Sequence, residues 1–202
     1  MKVRIYIIIT LLLSTLLCGA QEKKVIKGFS GGMMLHTGYM FGCDYPYPSS
    51  ISINSATYGI GGLAKLQFTK HFRAGFEGYF STAPMTSGVK SGSHNKMFWT
   101  GALADWFWKI GKFYPYVGVT VGGGMETAYY MFEGDKYDWE FESKAVFHKQ
   151  PFFAVDPYIG VEYKVGEALR LTLKTDWLCA INSTGLNRPL GPRVYFGFIF
   201  AH

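Results

Sequence analysis

The chain has 202 residues, of which 49% are hydrophobic, 18% aromatic and 17% charged, and it carries a formal net charge of +6. That length suits one domain, and a charged share below the roughly 25% of soluble domains means that part of a normally ionic surface is apolar. No Lys/Arg run, helix heptad or nucleic-acid motif accompanies the positive charge, which argues against a nucleic-acid partner. The 25 Gly, 17 Phe and 14 Tyr form an all-β signature, because aromatics fit pleated strands and Gly marks turns and bends.

The chain opens with a targeting segment. Lys2 and Arg4 make a basic start, Ile5 to Leu17 an apolar run, and Cys18-Gly19-Ala20 a set of small residues before Gln21. This reads as a signal peptide over residues 1–20, with a mature domain at 21–202. The apolar run is shorter than the ~20 residues that span a bilayer, which argues against an anchor. A lipidated Cys18 is the alternative, though Leu17 is bulky where such sites carry a small residue. Removing Lys2 and Arg4 leaves 18 Lys and Arg against 14 Asp and Glu, a charge of +4, weakly suited to anionic head groups.

Beyond the leader, two-residue alternation recurs in eight segments. The first, Lys27 to Phe41, is rich in Gly. In the second, Tyr58, Ile60, Ala64, Leu66 and Phe68 share one face, with Lys65 and Gln67 on the other. In the third, Phe72, Ala74, Phe76 and Phe80 alternate with Arg73, Glu77 and Tyr79. The fourth sets Phe98, Ala102, Ala104, Trp106, Trp108 and Ile110 opposite Asp105 and Lys109. The fifth sets Val117, Val119 and Val121 against Tyr116, Gly118 and Thr120. The sixth sets Val155, Ile159, Val161, Tyr163 and Val165 against Asp156, Tyr158, Glu162 and Lys164. The seventh has Leu169, Leu171, Leu173 and Trp177 against Arg170, Thr172, Lys174 and Asp176. The eighth has Val194, Phe196, Phe198 and Phe200 against Arg193 and Tyr195. Tight turns at 69–71, 111–112 and 166–167 alternate with longer connections near 42–55, 84–95, 126–151 and 180–192.

No later stretch is apolar enough for a spanning helix, so a membrane chain must close into a barrel to satisfy its backbone. Each segment reaches the ~9–11 residues of a tilted transmembrane strand, and short turns on one rim with longer loops on the other are the outer-membrane pattern. A lipocalin-like barrel would point its apolar side chains inward. About thirty large apolar residues would overfill so narrow a lumen, whereas the Gly-rich, charged face fits. Aromatics gather near both strand ends, where membrane–water interfaces lie. The expected fold is all-β: a closed, up-and-down, antiparallel transmembrane β-barrel of eight strands.

The final residues, Tyr195-Phe196-Gly197-Phe198-Ile199-Phe200-Ala201-His202, look like the assembly signal of outer-membrane barrels, departing from it with His202 where Phe is usual. With the leader and the eight segments, the mature chain resembles the small OmpA/OmpX-like outer-membrane barrels. The resemblance implies residence in the cell outer membrane among lipid and lipopolysaccharide, and delivery by the barrel-assembly machinery through the C-terminal strand.

In that orientation Lys65, Arg73, Lys109, Lys164, Arg170, Lys174 and Arg193 point inward, as do Glu77, Asp105, Asp156, Glu162 and Asp176. Charges so confined must pair, because an unpaired buried charge is expensive. The expectation is a structural salt-bridge plug, with a narrow ion path as the alternative and wide-channel activity disfavoured by the small bore. Cys43 and Cys179 fall on the same rim and are candidates for a disulfide in an oxidising compartment; two free thiols are the alternative. Ser91, Ser93, His94, His148 and His36 could supply a Ser–His–acid set. However, Ser93-His94 lacks the His-x-Ser spacing that puts both side chains on one strand face. No metal-ligand spacing occurs, and no cofactor is expected. The longest connection carries Tyr129-Tyr130-Met131-Phe132 and Tyr137-Asp138-Trp139-Glu140-Phe141, read as an extended hairpin, a contact surface for an envelope protein or lipopolysaccharide, or both. The expected role is structural or interactive, alone or within a larger envelope complex. A lipid A-modifying enzyme is second and a narrow transporter third.

Overall fold

A computed structural model describes residues 25–45, 51–84, 93–131, 145–181 and 187–202. The leader at 1–20 and the aromatic tip at 132–144 lie outside them. Eight strands run β1 (Gly28–Tyr45), β2 (Ile51–Gln67), β3 (Phe72–Pro84), β4 (His94–Phe107), β5 (Phe113–Met131), β6 (Ala145–Lys164), β7 (Leu169–Ile181) and β8 (Asn187–Ala201). Every neighbouring pair is antiparallel, and β1 pairs with β8 from Ser30↔Ala201 to Cys43↔Asn187, which closes the barrel. The expected architecture is the observed one. Among the described residues no helix is long and apolar enough to cross a membrane.

Burial is inverted relative to a soluble barrel. Phe76, Phe80, Leu35, Ile159 and Phe196 stand 58–69% exposed on the outer face, whereas Lys65, Lys174, Asp156 and Glu162 are at most 1% exposed inside. The period of two in the strands sorts side chains between these faces, and lipid is the solvent that suits the outer one. Outward rings mark both ends of the wall. Trp106, Trp108, Phe113 and Tyr163 ring the turn side, and Tyr39, Phe80, Phe98, Phe153 and Trp177 the loop side. Phe113 packs on Tyr163 and Phe80 on Phe98 at centroid distances of 5.0 and 4.7 Å.

The strands run further into the loop side than the alternation suggested. Residues there keep pairing because their backbone groups still find partners, and the inner face stays buried at Ser55, Ala83, Asn95 and Ala128. The β5–β6 ladder is the extreme, continuing to Met131↔Ala145, so the first part of the longest connection is an extended hairpin. At the other rim β4 stops sooner than expected. Trp108 lies past its end, its N–H still bonded to the Pro115 carbonyl at 3.0 Å, and an Ile110–Phe113 bridge closes a turn where Gly111 adopts a φ of 61°, a left-handed conformation that Gly takes without steric cost.

Candidate functional site

The lumen holds the densest chemistry in the molecule, in two ionic groups stacked along the barrel axis. The one nearer the turns is built on Asp105 and Glu162. Arg73 donates through Nε to Asp105 Oδ1 at 2.7 Å and through Nη1 to Glu162 Oε1 at 2.7 Å. Lys65 Nζ meets Asp105 Oδ2 at 2.7 Å, and Arg170 Nη1 meets Glu162 Oε2 at 2.9 Å. The second group centres on Lys174 and Arg193. Lys174 Nζ donates to both Glu77 oxygens at 2.9 Å. Arg193 forks onto Asp176 at 2.9 and 2.8 Å and reaches Asp156 Oδ1 at 3.0 Å.

Register accounts for part of this pattern. Arg73 lies directly across from Asp105, and Asp176 across from Arg193, so these pairs form between neighbouring strands. Lys174–Glu77 spans from β7 to β3, and Arg73–Glu162 from β3 to β6. Such bonds tie opposite walls together. Glu77 also accepts from Tyr79 at 3.0 Å and from the Thr120 hydroxyl.

Aromatic rings interleave with the cations. Lys174 sits 4.3 Å from the Tyr158 ring and 4.9 Å from Tyr195; Arg73 lies 4.4 Å from Phe107 and Lys65 4.5 Å from Tyr116. A desolvated cation on a ring face gains of order 2 kcal/mol. Glycines make the room: a side chain at Gly61 would collide with the Tyr79 ring, and one at Gly160 with Tyr116. The lumen is therefore less purely polar than expected, with Trp99, Met34 and Ile199 also fully buried there.

Ten of the twelve expected lumen charges take part in these ion pairs. The other two stand apart at the rim. Lys109 lies beyond the end of β4 and is exposed, and Lys164 ends β6 half-buried at the turn-side rim. Neither joins an ion pair among the described residues, because at the rim an ammonium group reaches water. Sequence reasoning also missed Glu126, placed in a loop but buried on β5, where it accepts from Asn95.

The histidine and serine candidates separate. His36 turns inward and meets Ser81, Nε2 to Oγ at 2.7 Å, with its ring between Tyr79 and Tyr195. Ser93 is buried, and His94 stacks on Tyr129 at 4.6 Å. Ser91 and the side chain of His148 lie outside the described residues. Cys179 faces outward as a free thiol. The side chain of Cys43, the other half of the candidate disulfide, also lies outside them.

An eight-stranded closed barrel with an apolar coat and an ionic interior defines a transmembrane β-barrel of the outer-membrane type, and the outer membrane is its location. Solved structures agree in fold. Neisserial surface protein A superposes with a TM-score of 0.58 at 12% identity, covering 86% of this chain and 96% of that one. The outer-membrane protein OprG from Pseudomonas aeruginosa gives 0.56 at 13%, covering 87% and 95%. The attachment invasion locus protein Ail of Yersinia pestis, solved with a heparin analogue, gives 0.50 at 9%, covering 88% and 100%. No protein-family model matches the chain, and no curated protein matches it.

Proposed function

We propose that the chain is a closed, non-conducting outer-membrane barrel whose work is structural or interactive, done on the loop side as a surface component or as a subunit of a larger envelope assembly. The ion-paired lumen carries this reading. Cross-barrel bonds such as Lys174–Glu77 and Arg73–Glu162 occupy the bore, and moving an ion through would mean breaking buried pairs at several kcal/mol each. What remains available to a partner is the rim, where the β5–β6 hairpin rises furthest. Neighbours of the same fold include a protein named for attachment and invasion, which is compatible with a contact role.

In planar bilayers the refolded chain should give no sustained openings; nanosiemens steps would contradict the plugged lumen. A partner recovered in stoichiometric amount from solubilised outer membrane, and lost when residues 132–144 are replaced by a short turn, is the expected sign of the contact role. Lipid A modification is the competing reading. Among the described residues the Ser81–His36 pair brings a hydroxyl and an imidazole together, yet both side chains are buried inside the wall, 3% and 4% exposed, away from the acyl chains. An unchanged lipid A mass profile on deletion is the expected result; an altered acyl pattern would favour the enzyme.

A further inference from the structure

A cavity of about 390 Å³ opens at the turn-side mouth of the barrel. Its wall includes Lys70 from the β2–β3 turn, Lys109 from the β4–β5 turn, and Arg170 and Tyr114 from β7 and β5, and no carboxylate among the described residues lines it. Lys70 and Lys109 are exposed, and neither joins an ion pair among the described residues. Arg170 is held in place. Its side chain is 20% exposed, one nitrogen is bonded to the buried Glu162, and the guanidinium lies 4.1 Å from the Tyr114 ring centre. His71 also lines it, beside Gln67 and Phe107, its Nδ1 donating to the Phe107 carbonyl at 3.0 Å and its ring stacked on Trp106.

The charge beneath this mouth is unbalanced. The turn-side ionic group has three cations, Lys65, Arg73 and Arg170, for two carboxylates, Asp105 and Glu162. The group above it has two cations, Lys174 and Arg193, for three carboxylates, Glu77, Asp156 and Asp176. The ten paired charges are neutral in sum but polarised along the barrel axis, with their positive end toward the cavity, and the buried Glu126 adds a negative charge on the loop side. Lys70 and Lys109 add to the positive end.

We infer that the turn-side mouth is a binding site for a phosphate-bearing ligand approached from the periplasm, onto which the short turns of such barrels open. An Arg guanidinium stacked on a ring, with two exposed ammonium groups beside it, suits a phosphate, whose several oxygens can meet several donors at once, better than a single carboxylate. The volume falls in the range of small-ligand sites and admits a phosphate with a modest substituent. Two sources carry that chemistry, a water-borne phosphate compound and the head group of an inner-leaflet phospholipid. The site is independent of the loop-side role proposed above.

The test uses the mature chain refolded in maltoside micelles, which contain no phosphate. Inorganic pyrophosphate and short-chain phosphatidylglycerol are titrated separately, by calorimetry and phosphorus NMR. One-to-one binding of either probe is expected, and the probe that binds identifies the source. The Lys70→Gln/Lys109→Gln double variant should bind about tenfold more weakly, since each lost charge at contact distance is worth a severalfold change in affinity. Lys149→Gln on the loop side should change nothing. Both turn lysines are exposed, so the variant keeps its fold, checked by heat-modifiable migration. Binding of neither probe, or equal binding by the double variant, would overturn the site.

Discussion

At the scale of single residues, Glu77 has the most to lose. It takes both bonds from Lys174 and one each from Tyr79 and Thr120. Glu77→Ala would leave a lysine 1% exposed close to Asp156 and Asp176 only at 3.9 and 3.7 Å. Removing one partner of a buried pair costs about 3–5 kcal/mol. Urea unfolding of the refolded chain should show a loss of that order; a loss under 1 kcal/mol would mean that the pair is solvated. Gly160→Val tests the packing of the same interior without touching charge. Its side chain would run into the Tyr116 ring, and overpacking costs about 1–3 kcal/mol. The same unfolding assay reads it, and an unchanged midpoint would show that the ring has room to move.

At the scale of the strand, each side chain's value depends on which solvent its face meets. Leu173, 49% exposed near the middle of β7, faces the acyl chains, whereas Val165, 55% exposed, sits at the turn-side rim. Leu173→Arg should cost about 2–4 kcal/mol and Val165→Arg about 0–1 kcal/mol in lipid; equal costs in vesicle folding titrations would contradict a bilayer centred on the strands. This alternation made the sequence legible. Period two placed Lys65, Arg73, Glu77, Asp105 and Lys174 inside, and put Tyr79, Tyr116, Tyr158 and Tyr195 on the same face. It could not tell which of them would meet. Lys174 finds Glu77 across the bore through the register and tilt of every intervening strand, which no local window contains. The same limit hid His36–Ser81 and the cation–ring stacks. Strand ends misled for another reason: on the loop side the outer face turns polar at residues such as Thr127 while Glu126 stays buried within, and at the turn side β4 stops before Lys109, so apolar alternation no longer marks the boundary.

At the scale of the whole molecule, the fold is an apolar cylinder around an ionic, ring-packed interior, with an extended hairpin above and a cationic mouth below. Ion pairs such as Lys174–Glu77 and Arg73–Glu162 tie opposite walls together; in the role proposed above they close the bore and leave the two rims for recognition. Everything depends on the sense of the wall, and tryptophan reports it directly. Trp177 is 49% exposed on the outer face and Trp99 is fully enclosed. Two variants, each keeping only one of these tryptophans, would be refolded into vesicles containing phospholipid brominated along its acyl chains. Strong quenching of Trp177 with Trp99 almost untouched is the expected result. Quenching of Trp99 as deep as that of Trp177 would contradict it.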